Sequence, residues 1–124
     1  MRVTTFTDDG GRTGVSASAS PAWEAFDEYD GEPLDGVRLV VVERLPLGEI
    51  QLVEIAAGGH FAMHASADIA FCQVVRGRGK LGLPGGKEVS YQAPELYVFH
   101  PGALHDWHDV EAATLLSVCL VRAG

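Results

Sequence analysis

The stretch AAGGHFAMHASADIAFCQVVRGRGKLGLPGG, residues 56–86, carries the information that decides the fold. Gly58 and Gly59 read as a turn, because paired glycines permit backbone angles that side chains forbid. If residues 61–66 are extended, strand alternation sends His60, Ala62, His64 and Ser66 to one face and Phe61, Met63 and Ala65 to the other. In the next run, Asp68, Ala70, Cys72 and Val74 share one face, and Ile69, Phe71, Gln73 and Val75 share the opposite one. Gly77-Arg78-Gly79 and Leu83-Pro84-Gly85-Gly86 mark where this strand turns back as a hairpin.

Working outward, the same texture covers most of the 124 residues. GVRLVVVERL, EIQLVEIA, ELYVFHPG and ATLLSVCLV are short β-branched or alternating runs bounded by glycine or proline. After Gly31 no stretch holds a 3.6-residue apolar period, and Leu45-Pro46-Leu47-Gly48 adds a second hairpin signal. The expectation is an all-β fold: a small antiparallel β-barrel or jelly roll spanning residues 31–124. Residues 1–30 are expected to form an N-terminal arm, partly flexible and helical or irregular. Thr7 to Pro21 is small, polar and glycine-rich, whereas Trp23 and Phe26 are three apart and suggest one anchoring helical turn.

Composition removes several function classes. A formal net charge of −8 repels phosphates, so neither nucleic acid nor an anionic membrane is an expected partner. The N-terminus lacks an apolar signal region, and no run approaches the ~18 apolar residues of a membrane span, so a cytoplasmic location is expected. Cys72 and Cys119 lie in apolar surroundings without paired-motif spacing, which reads as two reduced, buried thiols. The Gly-rich RGRGK segment serves a hairpin and precedes no helix, so it is not read as a phosphate cradle. Gly-x-Ser-x-Gly, His-Glu-x-x-His and Cys-x-x-Cys patterns are absent from the sequence.

A second informative stretch is HPGALHDWH, residues 100–108. On a strand, His105, Trp107 and Asp109 share a face, while Asp106 and His108 point the other way. Taken together, the two stretches resemble the two motif blocks of the cupin superfamily, in its small single-domain, cupin-2-like form. Gly58-Gly59 resembles the opening turn, His64 the first histidine of a His-x-His strand, and Gly77-Arg78-Gly79 the closing hairpin. In HPGALH, His100 stands at the proline position of the second block, Gly102 at its glycine and His105 at its histidine. The resemblance covers roughly residues 37–121. It is incomplete at the first metal motif, because Ser66 replaces the second histidine and Ala70 stands at the acidic position.

The resemblance implies a cavity inside the barrel, with His64 and His105 as the surviving ligand positions. Two imidazoles make a weak site for Fe, Mn, Ni or Zn, which take three or more protein ligands. Asp68, His100 and His60 are the candidate auxiliary ligands, although four extended residues put His60 ~13 Å from His64. Cys72, Ser66, Ala70, Phe99 and Trp107 are expected to line the pocket. Three readings follow. The first is a metal-dependent enzyme of dioxygenase, isomerase, lyase or cyclase type acting on a small oxygenated molecule. The second is a metal-free enzyme with His64 or His105 as general base and Asp68 orienting it. The third is a non-catalytic cupin that binds a small ligand or serves as a dimeric scaffold. An enzyme is preferred because the retained histidines occupy the cavity positions, and its expected form is the metal-dependent one, with a divalent ion held by His64, His105 and an auxiliary ligand. The resemblance also implies a homodimer, and the outer row Ile69, Phe71 and Val75 is expected to be covered by such a partner or by the N-terminal segment.

Overall fold

The computed structural model describes residues 1–18 and 22–123; residues 19–21 of the expected arm, and Gly124, lie outside the described residues. The chain begins with a hairpin of its own, β1 (Val3–Asp8) against β2 (Thr13–Ser18). Threonines and alternation favour extended backbone here, and the turn is built by Gly10 and Gly11 at φ 64° and 88°. The Gly11 amide donates to Asp8 Oδ1 at 2.9 Å. The arm is thus a β-hairpin over this stretch.

Short strands β3 (Glu24–Ala25), β4 (Glu28–Tyr29) and β5 (Glu32–Pro33) follow. The helical turn expected at Trp23–Phe26 does not form. Glu24 and Ala25 pair instead with Leu39 and Arg38, and the Arg38 guanidinium sits 4.7 Å over the Trp23 ring. Hydrogen bonds to an open sheet edge satisfy the backbone better than one isolated helical turn, whose nucleation is unfavourable.

The body comprises β6 (Asp35–Leu45), β7 (Gly48–His64), β8 (Ile69–Leu83), β9 (Lys87–Gln92), β10 (Glu95–Phe99) and β11 (His105–Val121). All pairings are antiparallel, in the order β10-β8-β11-β7-β6-β3, with β9 pairing the second half of β8. Leu45↔Gly48 closes a two-residue hairpin, and the three-residue Pro84–Gly86 turn closes another, where both were expected.

Strands of 15 and 17 residues are too long to stay flat, and each long strand breaks its register at a left-handed residue. Gly36 (φ 66°) faces the four residues Ala56–Gly59, with Gly58 at φ 77°. Gly77 (φ 104°) and Asp109 (φ 45°) mark the breaks on β8 and β11. Gly58-Gly59 is therefore a bulge within β7, not a turn before it. These bulges bend one continuous sheet over itself, so that its two halves enclose a core. Ile55, Val74 and Thr114 are fully buried there, beside Trp107 and Tyr91. The Tyr91 hydroxyl donates to Thr114 Oγ1 at 2.7 Å, and Thr114 donates onward to the Ala112 carbonyl at 3.0 Å, which leaves neither buried hydroxyl unpaired.

Cross-strand register orders both faces of the β10-β8-β11-β7 half. The inner face carries the rows Phe99–Ala70–Leu120–Glu49 and Tyr97–Cys72–Val118–Gln51. The outer face carries Val98–Phe71–Cys119–Ile50, with Phe71 and Val98 37% and 46% exposed. No helix among the described residues is long and apolar enough to cross a membrane.

The bend at Gly77 makes a sharp prediction. A Cβ there would lie 2.5 Å from Thr114 Oγ1 and 2.7 Å from the Ala113 carbonyl oxygen, at a backbone angle that L residues avoid. Gly77→Ala is expected to lower unfolding free energy by about 2 kcal/mol or more in urea titrations. Gly85→Ala, at φ 81° in open space, is expected to cost less.

Candidate functional site

Between the two halves of the sheet lies a cavity of about 340 Å³. One wall is the inner rows of β8, β11 and β7. The other is built from the end of β7 and the start of β11, where His64 and His105 are cross-strand partners.

A single extra residue places His64. The register runs His105↔His64 and then Trp107↔Phe61, so two steps on β11 oppose three on β7. This bulge over Ala62 and Met63 brings Phe61 and His64 to the same side, against the strict alternation read from the sequence. Both line the cavity, with ring centroids 4.2 Å apart. A similar irregularity removes Asp109 from the face of His105 and Trp107: at φ 45° it turns outward and Val110 is buried in its place. His108 faces away from the cavity, as the alternation predicts.

His105 is only 4% exposed. Its ring stacks on Phe99 at 3.7 Å and 9°, and its centroid is 4.3 Å from that of His64. Each imidazole is held by its own strand. His64 Nδ1 lies 2.8 Å from the Ala62 carbonyl and His105 Nδ1 lies 3.1 Å from the Ala103 carbonyl. A carbonyl can only accept, so both rings carry the proton on Nδ1, and both Nε2 atoms keep a lone pair. No completely buried side-chain N or O lacks a partner among the described residues. The partnerless Nε2 atoms therefore reach the cavity.

Burial disfavours the charged form of both rings. The His64 pKa falls below its ordinary value, chiefly through desolvation, and His105 is lowered to about 4 by burial and then by neighbouring His64. The cavity thus presents two neutral acceptors. Burial also pushes the Cys72 thiol up to about 12, so it remains protonated and inert in the wall. Tyr29 is raised by burial, then by the charges of Asp30 and Asp68.

The other expected site residues divide clearly. Asp68, Ser66, Ala70, Phe99 and Trp107 line the cavity with the two histidines. Asp68 does not orient either ring; its amide donates to Ser66 Oγ at 3.0 Å, and the Ala62 and Ala103 carbonyls do the orienting. His60 pairs with Asp35 beyond the Phe61 bulge and lies outside the cavity lining. His100 is exposed at the turn, where its carbonyl accepts from the Ala103 amide at 3.0 Å. It too is absent from the lining, because alternation on β10 turns Phe99 inward and its neighbour outward.

Several lining residues escaped the reading of the sequence, among them Phe26, Tyr29, Glu49 and Gln51. Phe26 and Tyr29, within the stretch read as an arm, form part of the wall, with Tyr29 5.3 Å from His64. Their three-residue spacing was a signal for core anchoring. Glu49 and Gln51 also face inward; their alternation with Ile50 was legible, but nothing local says which face of β7 is inside.

As a metal centre the donor set stops at two. Among the described residues, the one group of three His, Cys, Asp or Glu ligand atoms within 4.8 Å of one another is Glu88, His108 and Asp109, on the outer surface. There both ring nitrogens of His108 are engaged, with Asp106 Oδ1 at 2.5 Å and Glu88 Oε1 at 2.9 Å. His64 and His105 belong to no such group, so the residues present do not complete a cavity metal site.

No protein-family model matches the sequence, and no curated protein does. Solved structures do. A cupin 2 conserved barrel domain protein from Rhodopseudomonas palustris superposes at TM-score 0.68 with 19% identity, over 100% of this chain and 81% of its own. The chain has the cupin fold. The cupin domain of Schizosaccharomyces pombe Cnp3 gives TM-score 0.68 at 8% identity, covering 98% of this chain and 88% of that one. A protein described as a predicted oxalate decarboxylase from Thermotoga maritima gives 0.62 at 12% identity, covering 70% and 81%. At these identities the likeness is one of cupin architecture.

The buried histidines tie stability to pH. A His105 held neutral to about pH 4 takes up its proton later than in the unfolded chain, where it titrates near 6.5. Between those values the unfolded state binds more protons, so stability is complete above about pH 6.5 and declines as pH falls toward 4. The loss from this ring is roughly 3 kcal/mol. Urea midpoints at pH 7, 5.5 and 4 are expected to drop less steeply in His105→Gln than in the unaltered protein.

Proposed function

We propose that this chain is a small-molecule cupin that needs no metal. It binds one compact metabolite in the barrel cavity, where His64 acts as proton acceptor in an isomerase- or lyase-type step. The observation that carries this reading is the pair of neutral imidazoles whose unpartnered Nε2 atoms open into one apolar cavity. A positioned neutral imidazole can take a proton alpha to a carbonyl, and a preformed site gives such a base its proximity and a water-poor surrounding. Of the two rings, His64 is the better base, because His105 is so weakly basic that it serves as a hydrogen-bond acceptor for the bound molecule. The Ala62 carbonyl holds the His64 Nδ1 proton, so Nε2 is the atom that receives the substrate proton, and the imidazolium forms in the field of Asp30 and Asp106. Tyr29 and Ser66 supply neutral hydroxyl donors to the enolate-like oxygen.

The incomplete donor set supports this metal-free reading over a divalent ion held by His64 and His105 with Asp68 as auxiliary ligand. The test is exchange of α-protons of hydroxyacetone and 2-hydroxyacetophenone in D2O, followed by NMR. Exchange is expected to persist in EDTA and to fall by about 10²-fold or more in His64→Gln. Exchange abolished by EDTA and restored by Fe(II), Mn(II), Ni(II) or Zn(II) would establish the metal-dependent alternative. Saturable binding without exchange would leave the non-catalytic ligand-binding reading.

A further inference from the structure

We propose that the end of the cavity beside His64 and His105 is a subsite for an organic ammonium group, so that the molecule taken up is a compact amine with an apolar body and not a carboxylate or phosphate. This deepens the small-molecule reading of the cavity and rests on it.

The argument starts from what the wall lacks. No lysine or arginine lines the cavity, and residues 19–21 and 124, being Ala, Ser, Pro and Gly, supply none. Two carboxylates do line it. Glu49, three strands from Phe99 on the inner row, already has its counter-ion: Arg44 Nε lies 2.8 Å from Oε1, and Gln51 donates to Oε2. Asp68 has no ion pair among the described residues, and it lines the same cavity as two acceptor-only imidazole nitrogens. His105, one of these acceptors, is more than nine-tenths buried and aimed inward. Asp30 and Asp106 add negative potential at the same place, since both act on His64.

An acceptor-rich, uncompensated pocket in a low-dielectric wall is satisfied by a ligand that brings protons and positive charge. A primary ammonium offers three donors, of which the Asp68 carboxylate and His105 Nε2 can take two, leaving His64 Nε2 free for the substrate proton. The neutral donors of the wall, the Ser66 and Tyr29 hydroxyls, could solvate an anion only partly, and Asp68 would repel it. Phe61, Phe99 and Trp107 supply the apolar surface for the rest of the molecule, and their ring faces favour a neighbouring cation.

The test uses the full chain, freed of metal by EDTA and dialysis, with benzylamine, benzyl alcohol and benzoate as matched probes. Calorimetry is expected to rank benzylamine first, at least tenfold tighter than benzoate, with benzyl alcohol between them. In Asp68→Asn, the preference for benzylamine over benzyl alcohol is expected to vanish while benzyl alcohol binding is retained, which also reports that the cavity is intact. Benzoate binding as tightly as benzylamine, or a benzylamine preference unchanged in Asp68→Asn, would overturn the ammonium subsite while leaving the cavity as a ligand site. Absence of binding by all three would overturn both the subsite and the small-molecule reading.

Discussion

The structure depends on bending strands that are too long to be flat. Alternating apolar runs commit β7, β8 and β11 to extended backbone, but an extended ribbon of 17 residues cannot enclose anything. Enclosure comes from four residues at positive φ, Gly36, Gly58, Gly77 and Asp109, which fall where the register slips between neighbouring strands. Among the three glycines of this set Gly77 makes the tightest approach: the backbone of Thr114 passes where its side chain would be. Once the sheet folds at this level, Ile55, Val74 and Thr114 are sealed inside, and the gap between the halves becomes the cavity.

The chemistry of that cavity follows from one smaller irregularity. The bulge over Ala62 and Met63 rotates the end of β7 so that Phe61 and His64 point inward together. His64 then meets His105 across the strand pair, and burial keeps both rings neutral. Two backbone carbonyls, not an acidic side chain, decide which nitrogen is protonated. Among the described residues, the same fold that creates a pair of acceptors omits a third ligand beside them, and Asp68 is left as a wall residue without a counter-ion.

Much of the architecture was legible because it is written in local patterns. The two hairpins at Leu45–Gly48 and Pro84–Gly86 carry their turn residues in sequence. The inward set Asp68, Ala70 and Cys72 and the opposite orientations of His105 and His108 follow from strict alternation, and both are seen. Alternation failed only where a bulge inserts a residue, at Phe61 and at Asp109, because a bulge is a contest between two strands and neither strand records it alone. The expected helical turn at Trp23–Phe26 failed for a related reason. The open edge of β6 offered hydrogen bonds that no local propensity could anticipate.

By itself, then, the chain's sequence determined a β-rich fold, since turn chemistry and side-chain parity are properties of neighbouring residues, while a cavity bearing His64 and His105 was implied by the resemblance to the cupin motif blocks. Tertiary structure alone decided what that cavity contains. Phe26, Tyr29, Glu49 and Gln51 reach it from strands distant along the chain, whereas His60 and His100 are turned out of it. Whether a group is neutral, partnered or alone depends on the residues packed across from it. Those residues are brought together only when the sheet closes.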